Sequence, residues 1–146
     1  KNFYFNKYQS IYESVDYIFK YDNIEVNDVR FARLMLSGYV NLYKLKIPLE
    51  EQFYIYEPPK DYSYIVKKDS NYYTLYQVEE VIKKEADPAT SNFPVDHLHP
   101  RTNTYSIIKK HYIGILDLVF NDCPSIKPFL NNLKFYDKPI IKIVNK

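Results

Sequence analysis

Asp96-His97-Leu98-His99-Pro100 is the one place in this chain where metal-ligating residue types stand close together. In an extended segment His97 and His99 project to the same side, so a two-histidine site completed by the Asp96 carboxylate is geometrically open. The chemistry would be a metal-dependent, hydrolase-like activity. No further His or Cys lies at a recognised ligand spacing, and the competing reading is a solvated, proline-rich loop. Cys123 and His111 are residue types that serve as nucleophile and base. Pro124 follows Cys123, and the apolar Phe120 and Ile126 lie three positions to either side, which favours a packed thiol, or a half-cystine whose partner lies outside the sequence. Glu50-Glu51 and Glu79-Glu80 are adjacent carboxylates; neighbours on a strand or helix point apart and cannot flank one bond, so both pairs read as surface charge. Gly38 and Gly114 are the only glycines, too few for a phosphate-cradling loop. No catalytic residue and no cofactor is assigned.

The stronger pattern is aromatic. The chain has 17 Tyr and 9 Phe but no Trp. Tyr39, Tyr43, Tyr54, Tyr56, Tyr62, Tyr64, Tyr72, Tyr73 and Tyr76 recur through the first half, many on the polar side of expected strands. Tyrosine offers rigid contact area at low entropic cost, so the series reads as a binding face for a protein partner or a glycan, against the alternative of sheet packing and edge cover. Twenty Lys plus Arg against 18 Asp plus Glu, with the two signs interspersed, give a net charge of +2. That balance supplies no basic stripe for nucleic acid. No apolar run approaches the roughly 18–20 residues that cross a bilayer, so no transmembrane segment is expected and the chain reads as soluble.

These residues have to be positioned by a fold, and 146 residues with 46% hydrophobic content suit one domain. The expectation is α+β: an N-terminal antiparallel, Tyr-rich β-meander over about 1–82, a loop over about 85–101, and about three helices over 102–146. Short strands fill 3–26. The clearest strand spans 29–45, with Leu34, Leu36, Gly38, Val40 and Leu42 on one face and Gly38 marking a bulge, a bend or a close approach. A strand at 53–56 is closed by Pro58 and Pro59, and strands at 62–66 and 72–76 flank a polar hairpin loop. Residues 77–84 are ambiguous. Pro88, Pro94 and Pro100 make 86–101 a long surface excursion. Tyr105, Ile108, Tyr112, Ile115, Leu116, Val119 and Phe120 then recur at helical steps behind Thr102-Asn103-Thr104 as caps. Pro124 ends that helix. Ser125 would cap a second, with Pro128 in its first turn, and Asp137 a third carrying Ile140, Ile141 and Val144 into the core.

Two stretches carry a resemblance. Residues 29–43, Val-Arg-Phe-Ala-Arg-Leu-Met-Leu-Ser-Gly-Tyr-Val-Asn-Leu-Tyr, are followed by Phe53-Tyr54-Ile55-Tyr56 and Tyr73-Thr74-Leu75; residues 112–124 end in Asp122-Cys123-Pro124, and 140–146 form a closing helix. Together they resemble a family of uncharacterised exported cell-envelope proteins of Bacteroidetes-type bacteria, the likeness spanning roughly 29–146. The proline-rich segment around 96–100 departs from that family. The resemblance implies export to the periplasm or outer membrane, with this chain, which starts at Lys1 without a signal pattern, as a mature or trimmed part. It supplies no catalytic residues. The leading functional expectation is therefore a non-enzymatic envelope accessory or interaction module, with an outer-membrane protein among its candidate partners. The metal-dependent enzyme at Asp96, His97 and His99 is the alternative, and a small intracellular toxin or immunity protein is a third.

Overall fold

The computed structural model describes residues 3–5, 10–48, 61–85 and 102–146. Six antiparallel strands form one sheet in meander order: β1 (Phe3–Phe5), β2 (Ser10–Tyr21), β3 (Ile24–Leu36), β4 (Asn41–Lys46), β5 (Tyr62–Lys68) and β6 (Asn71–Leu75). A separate two-stranded ribbon pairs β7 (Val78–Glu85) with β8 (Thr102–Lys109). The helical part is α1 (His111–Val119), a 3-10 turn (Pro124–Ile126), α2 (Lys127–Leu130) and α3 (Asp137–Val144). The architecture is thus the expected α+β meander followed by three helices.

Turn chemistry sets the hairpins. Tyr21 pairs with Ile24 and Lys68 with Asn71, leaving two-residue loops whose first residue, Asp22 or Asp69, takes a positive φ of 52° or 55°. Aspartate tolerates that conformation better than bulkier residues, and this hand matches the twist of the flanking strands. The expected short strands of 3–26 are in fact dominated by β2, 12 residues long, which runs on into a 13-residue β3. The expected single strand at 29–45 is a hairpin: β3 stops at Leu36, Ser37 to Val40 turn, and β4 returns. Asn41 Oδ1 closes the turn by accepting from Gly38 N (3.2 Å) and from the Ser37 hydroxyl (3.3 Å). Of the three roles considered for Gly38, the bend is the one found; no atom lies within 4 Å of where its Cβ would sit.

Cross-strand partners share a face, which sorts the core into two sides. Val15, Tyr17 and Phe19 of β2 lie inside with Ala32, Tyr43, Leu45 and Ile65, all buried. The sheet coils until β2 packs on β6, and Phe19 meets Tyr76 edge-on at 4.9 Å. The other face of β4–β6, carrying Leu42, Tyr64, Val66 and Leu75, is covered by the helices, so the central strands are buried on both sides. Tyr64 meets Phe135 edge-on at 5.3 Å, and Tyr112 stacks on the same ring at 4.7 Å while donating its hydroxyl to the Leu133 carbonyl at 2.6 Å.

The helical half departs from expectation at its start. Residues 102–109 pair along their whole length with β7, and the helix begins only at His111, without a side-chain cap. Thr and Ile are stiff at χ1 and, with the aromatic Tyr, suit a pleated strand, and alternation explains Tyr105 and Ile107 as readily as helical steps explained Tyr105 and Ile108. From Tyr112 onward the periodic reading holds: Tyr112, Leu116 and Val119 are its buried stripe. Pro124 opens the 3-10 turn in place of a Ser125 cap, and Pro128 falls in the first turn of α2, where its missing N–H costs no bond. In α3 the core residues are Ile140, Ile143 and Val144, with Ile141 half-buried, and Asp137 is in the first turn with Tyr136 as the cap.

Candidate functional site

The tyrosines expected to form an open face are mostly spent inside the fold. Tyr43 and Tyr64 are fully buried, which corrects their assignment to an exposed surface. Tyr62, Tyr72, Tyr73 and Tyr76 are half-buried against the core, and Tyr39 is exposed. Tyr54 and Tyr56 lie outside the described residues, as do the 53–56 strand, the 86–101 loop, Glu50, Glu51, and the metal candidates Asp96, His97 and His99.

Among the described residues, tyrosine hydroxyls instead meet carboxylates that also hold a lysine, at three places. Asp137 accepts from Tyr64 and, through each oxygen at 3.0 Å, from Lys44. Burial pushes the Asp137 carboxyl up, but the hydrogen bonds from Tyr64 and Lys44 and the charges of Lys44 and Arg33 outweigh it and hold it below the usual carboxylate range. Burial and the bond to Asp137 raise the Tyr64 phenol. Asp122 accepts from Tyr39 at 2.5 Å and from Lys68 at 2.9 Å, and these two donors depress its pKa. Lys68 also donates to the Val119 carbonyl at 2.8 Å, capping α1 with a cation where the helix dipole favours one. These two groups tie the sheet to the helical layer.

The third group stands at the root of the ribbon. Glu80 Oε1 accepts from the Tyr21 hydroxyl at 2.5 Å and from Lys109 Nζ at 2.6 Å. The Lys109 bond first, then the Tyr21 bond, lowers the Glu80 pKa, while the Glu80 bond and burial push Tyr21 up to about 12. His111 stacks on Tyr76 at 4.8 Å and meets Tyr21 edge-on at 5.6 Å. Its Nε2 is buried with no hydrogen-bond partner among the described residues; burial and Lys109 lower its pKa against a smaller opposing effect of Glu80. The proton inventory is poor for acid-base work: the carboxylate is a weakened base and the phenol a weakened acid. Its geometry is that of a staple joining β2, β7, β8 and α1. Cys123 stands beyond the other end of α1 from His111, at least about 12 Å along the helix axis, so the two do not pair.

Open surface is carried by aliphatic and other aromatic side chains that sequence reasoning passed over. Val81, Ile107, Ile108 and Tyr105 of the ribbon are 60, 48, 45 and 42% exposed. The register puts Val81 and Ile108 on one ribbon face and Tyr105 and Ile107 on the other. A second patch lies on the outer face of the β2–β3 hairpin, where Ile18, Val29 and Phe31 are 49, 64 and 57% exposed. The available signal was the doublet Ile107-Ile108: consecutive apolar residues in a strand supply both faces at once, and a two-stranded ribbon beside the core cannot bury both. Among the described residues no three His, Cys, Asp or Glu side chains converge as metal ligands, and no helix is long and apolar enough to cross a membrane. No protein-family model, no curated protein and no solved structure matches this chain.

Proposed function

We propose that the chain is a non-enzymatic interaction module of the cell envelope that binds a protein partner through the β7–β8 ribbon. The observation that carries the binding part is the ribbon itself, with apolar side chains on both faces and strand edges that no described element pairs. A two-stranded ribbon is marginal in water by itself and gains from a third strand or a covering surface. Burying the exposed halves of Val81, Tyr105, Ile107 and Ile108 would release on the order of 3–6 kcal/mol before association costs. That is too little for tight binding alone, so the partner must also pair an edge backbone. The envelope assignment rests on the sequence resemblance, and an outer-membrane protein is the partner class it favours.

The test is site-specific photo-crosslinking in the native host from Val81 and Ile108, with Lys20 on β2 as a solvent-facing control. One discrete envelope-protein adduct from the ribbon positions, lost from position 81 in I108D and from position 108 in V81D while the circular dichroism of each variant is unchanged, is the expected result. Equal, diffuse labelling from all three positions would sink the ribbon as the binding element. A discrete adduct with a cytoplasmic protein would sink the envelope assignment alone.

A further inference from the structure

Charge is interspersed over the chain as a whole but not over its last helices. Residues 127–146 contain Lys127, Lys134, Lys138, Lys142 and Lys146 against the single acid Asp137. Asp137 is turned into the sheet, bonded to Lys44 and Tyr64, and Lys127 is paired with Asp117 at 3.3 Å. Lys134, Lys138, Lys142 and Lys146 form no ion pair with an Asp or Glu among the described residues. Their charge borders a groove of about 230 Å³ between α2 and α3, with Leu133 and Ile143 in its lining and the half-exposed rings of Phe129 and Tyr136 beside them. Lys134, Lys142 and Lys146 line the same groove, and among the described residues no Asp or Glu side chain does. Lys146 Nζ sits 3.2 Å from the centroid of the Phe129 ring, a cation resting on an aromatic face. The neighbouring groove on α1 and α2 is the contrast: its Lys127 is balanced by Asp117, so it offers no net charge.

We propose that the α2–α3 groove binds an acidic peptide segment with one large apolar side chain, the side chain entering between Phe129 and Tyr136 and its flanking carboxylates meeting Lys134, Lys142 and Lys146. The charge is complementary, and the concave form takes a single side chain, where an anionic bilayer would call for apolar groups standing proud of the surface. The lysines are compact point charges on flexible stems and set no fixed bidentate geometry, so recognition is of acidity around an anchor and not of one carboxylate placement. This site is separate from the ribbon, on different elements, and stands whether or not the ribbon binds a protein.

The test is fluorescence anisotropy of the intact protein with a labelled hexapeptide of Glu and Asp around one central Trp. Controls are the peptide with Gln and Asn for the acids and the peptide with Ala for Trp. Expected is saturable binding of the acidic Trp peptide, weakened by about tenfold or more in K134E/K142E, where two attractions become repulsions, and by severalfold with rising salt. Phe129→Ala should weaken it without changing the salt dependence. Both lysines are exposed, so the variants should keep the wild-type Tm, and K134Q/K142Q gives an intermediate loss that reports charge independently of folding. Equal binding of the acidic and neutral peptides, or of wild type and K134E/K142E, overturns the proposal. So does sedimentation with phosphatidylserine vesicles in the absence of peptide binding, which would assign the groove to a lipid surface.

Discussion

A tyrosine hydroxyl beside a carboxylate that already holds a lysine leaves each polar group satisfied while the ring packs, as Tyr64 does beside Asp137 and Lys44. At Asp137 the arrangement is enclosed enough to have measurable consequences. Tyr64→Phe removes one bond to a charged acceptor and should cost about 1.5–3 kcal/mol in urea unfolding. Asp137→Asn leaves Lys44, only 23% exposed, without its counter-charge. Its cost should be about 2–3 kcal/mol, below that of a fully buried pair because water reaches both partners. The pH dependence has a definite sign. Since the folded state holds the Asp137 carboxyl below its ordinary value, the stabilisation is complete above the unfolded carboxylate pKa and is lost as pH falls through the folded one. The stability gap between wild type and D137N should therefore be flat near neutral pH and narrow in acid. A gap unchanged down to the acid limit would mean that Asp137 acts through packing, not charge. Asp137 was legible in the sequence as a residue at a helix start, but not as the partner of Lys44 and Tyr64, which lie 93 and 73 positions away. Spacing along a chain carries no information about such a meeting.

Among the described elements, the ribbon is distinguished by how little of it the others hold. Its main tie is Glu80 to Tyr21, while the central strands β4 and β5 are buried on both faces. Local opening should follow that difference. In native-state hydrogen exchange the amides of β7 and β8 should exchange with far smaller opening free energies than those of β4 and β5, and Tyr21→Phe should lower protection in the ribbon while leaving the central strands unchanged. Equal protection in both would show the ribbon to be an integral part of the core. Strand and helix identities were readable where one face is buried and the period is clean, as in Tyr112, Leu116 and Val119. They were not readable at 102–109, where Tyr105, Ile107 and Ile108 satisfy two periods at once, nor at 36–41, where alternation continues straight through a turn. In both places tertiary pairing chooses between local options that the sequence leaves nearly equal.

At the scale of the molecule, the inward placement of Tyr43 and Tyr64 makes the fold's alkaline limit a property of its core. Burial first, and the bond to Glu13 second, push the Tyr43 phenol up to about 12, with Tyr21 at a similar value through its bond to Glu80. An unfolded tyrosine ionises near 10, so between about 10 and 12 the unfolded chain releases protons that the folded one keeps. Stability from these groups is fully present below the unfolded value and declines as pH rises through that window. In a spectrophotometric titration Tyr43 and Tyr64 should ionise only together with the loss of the far-ultraviolet circular dichroism. Tyr43→Phe removes one such proton and should move the alkaline midpoint upward relative to wild type once the difference in neutral-pH stability is subtracted. If all the tyrosines ionised in a single step with the fold intact, the Tyr43 and Tyr64 hydroxyls would be open to water, and their burial could not set the alkaline limit.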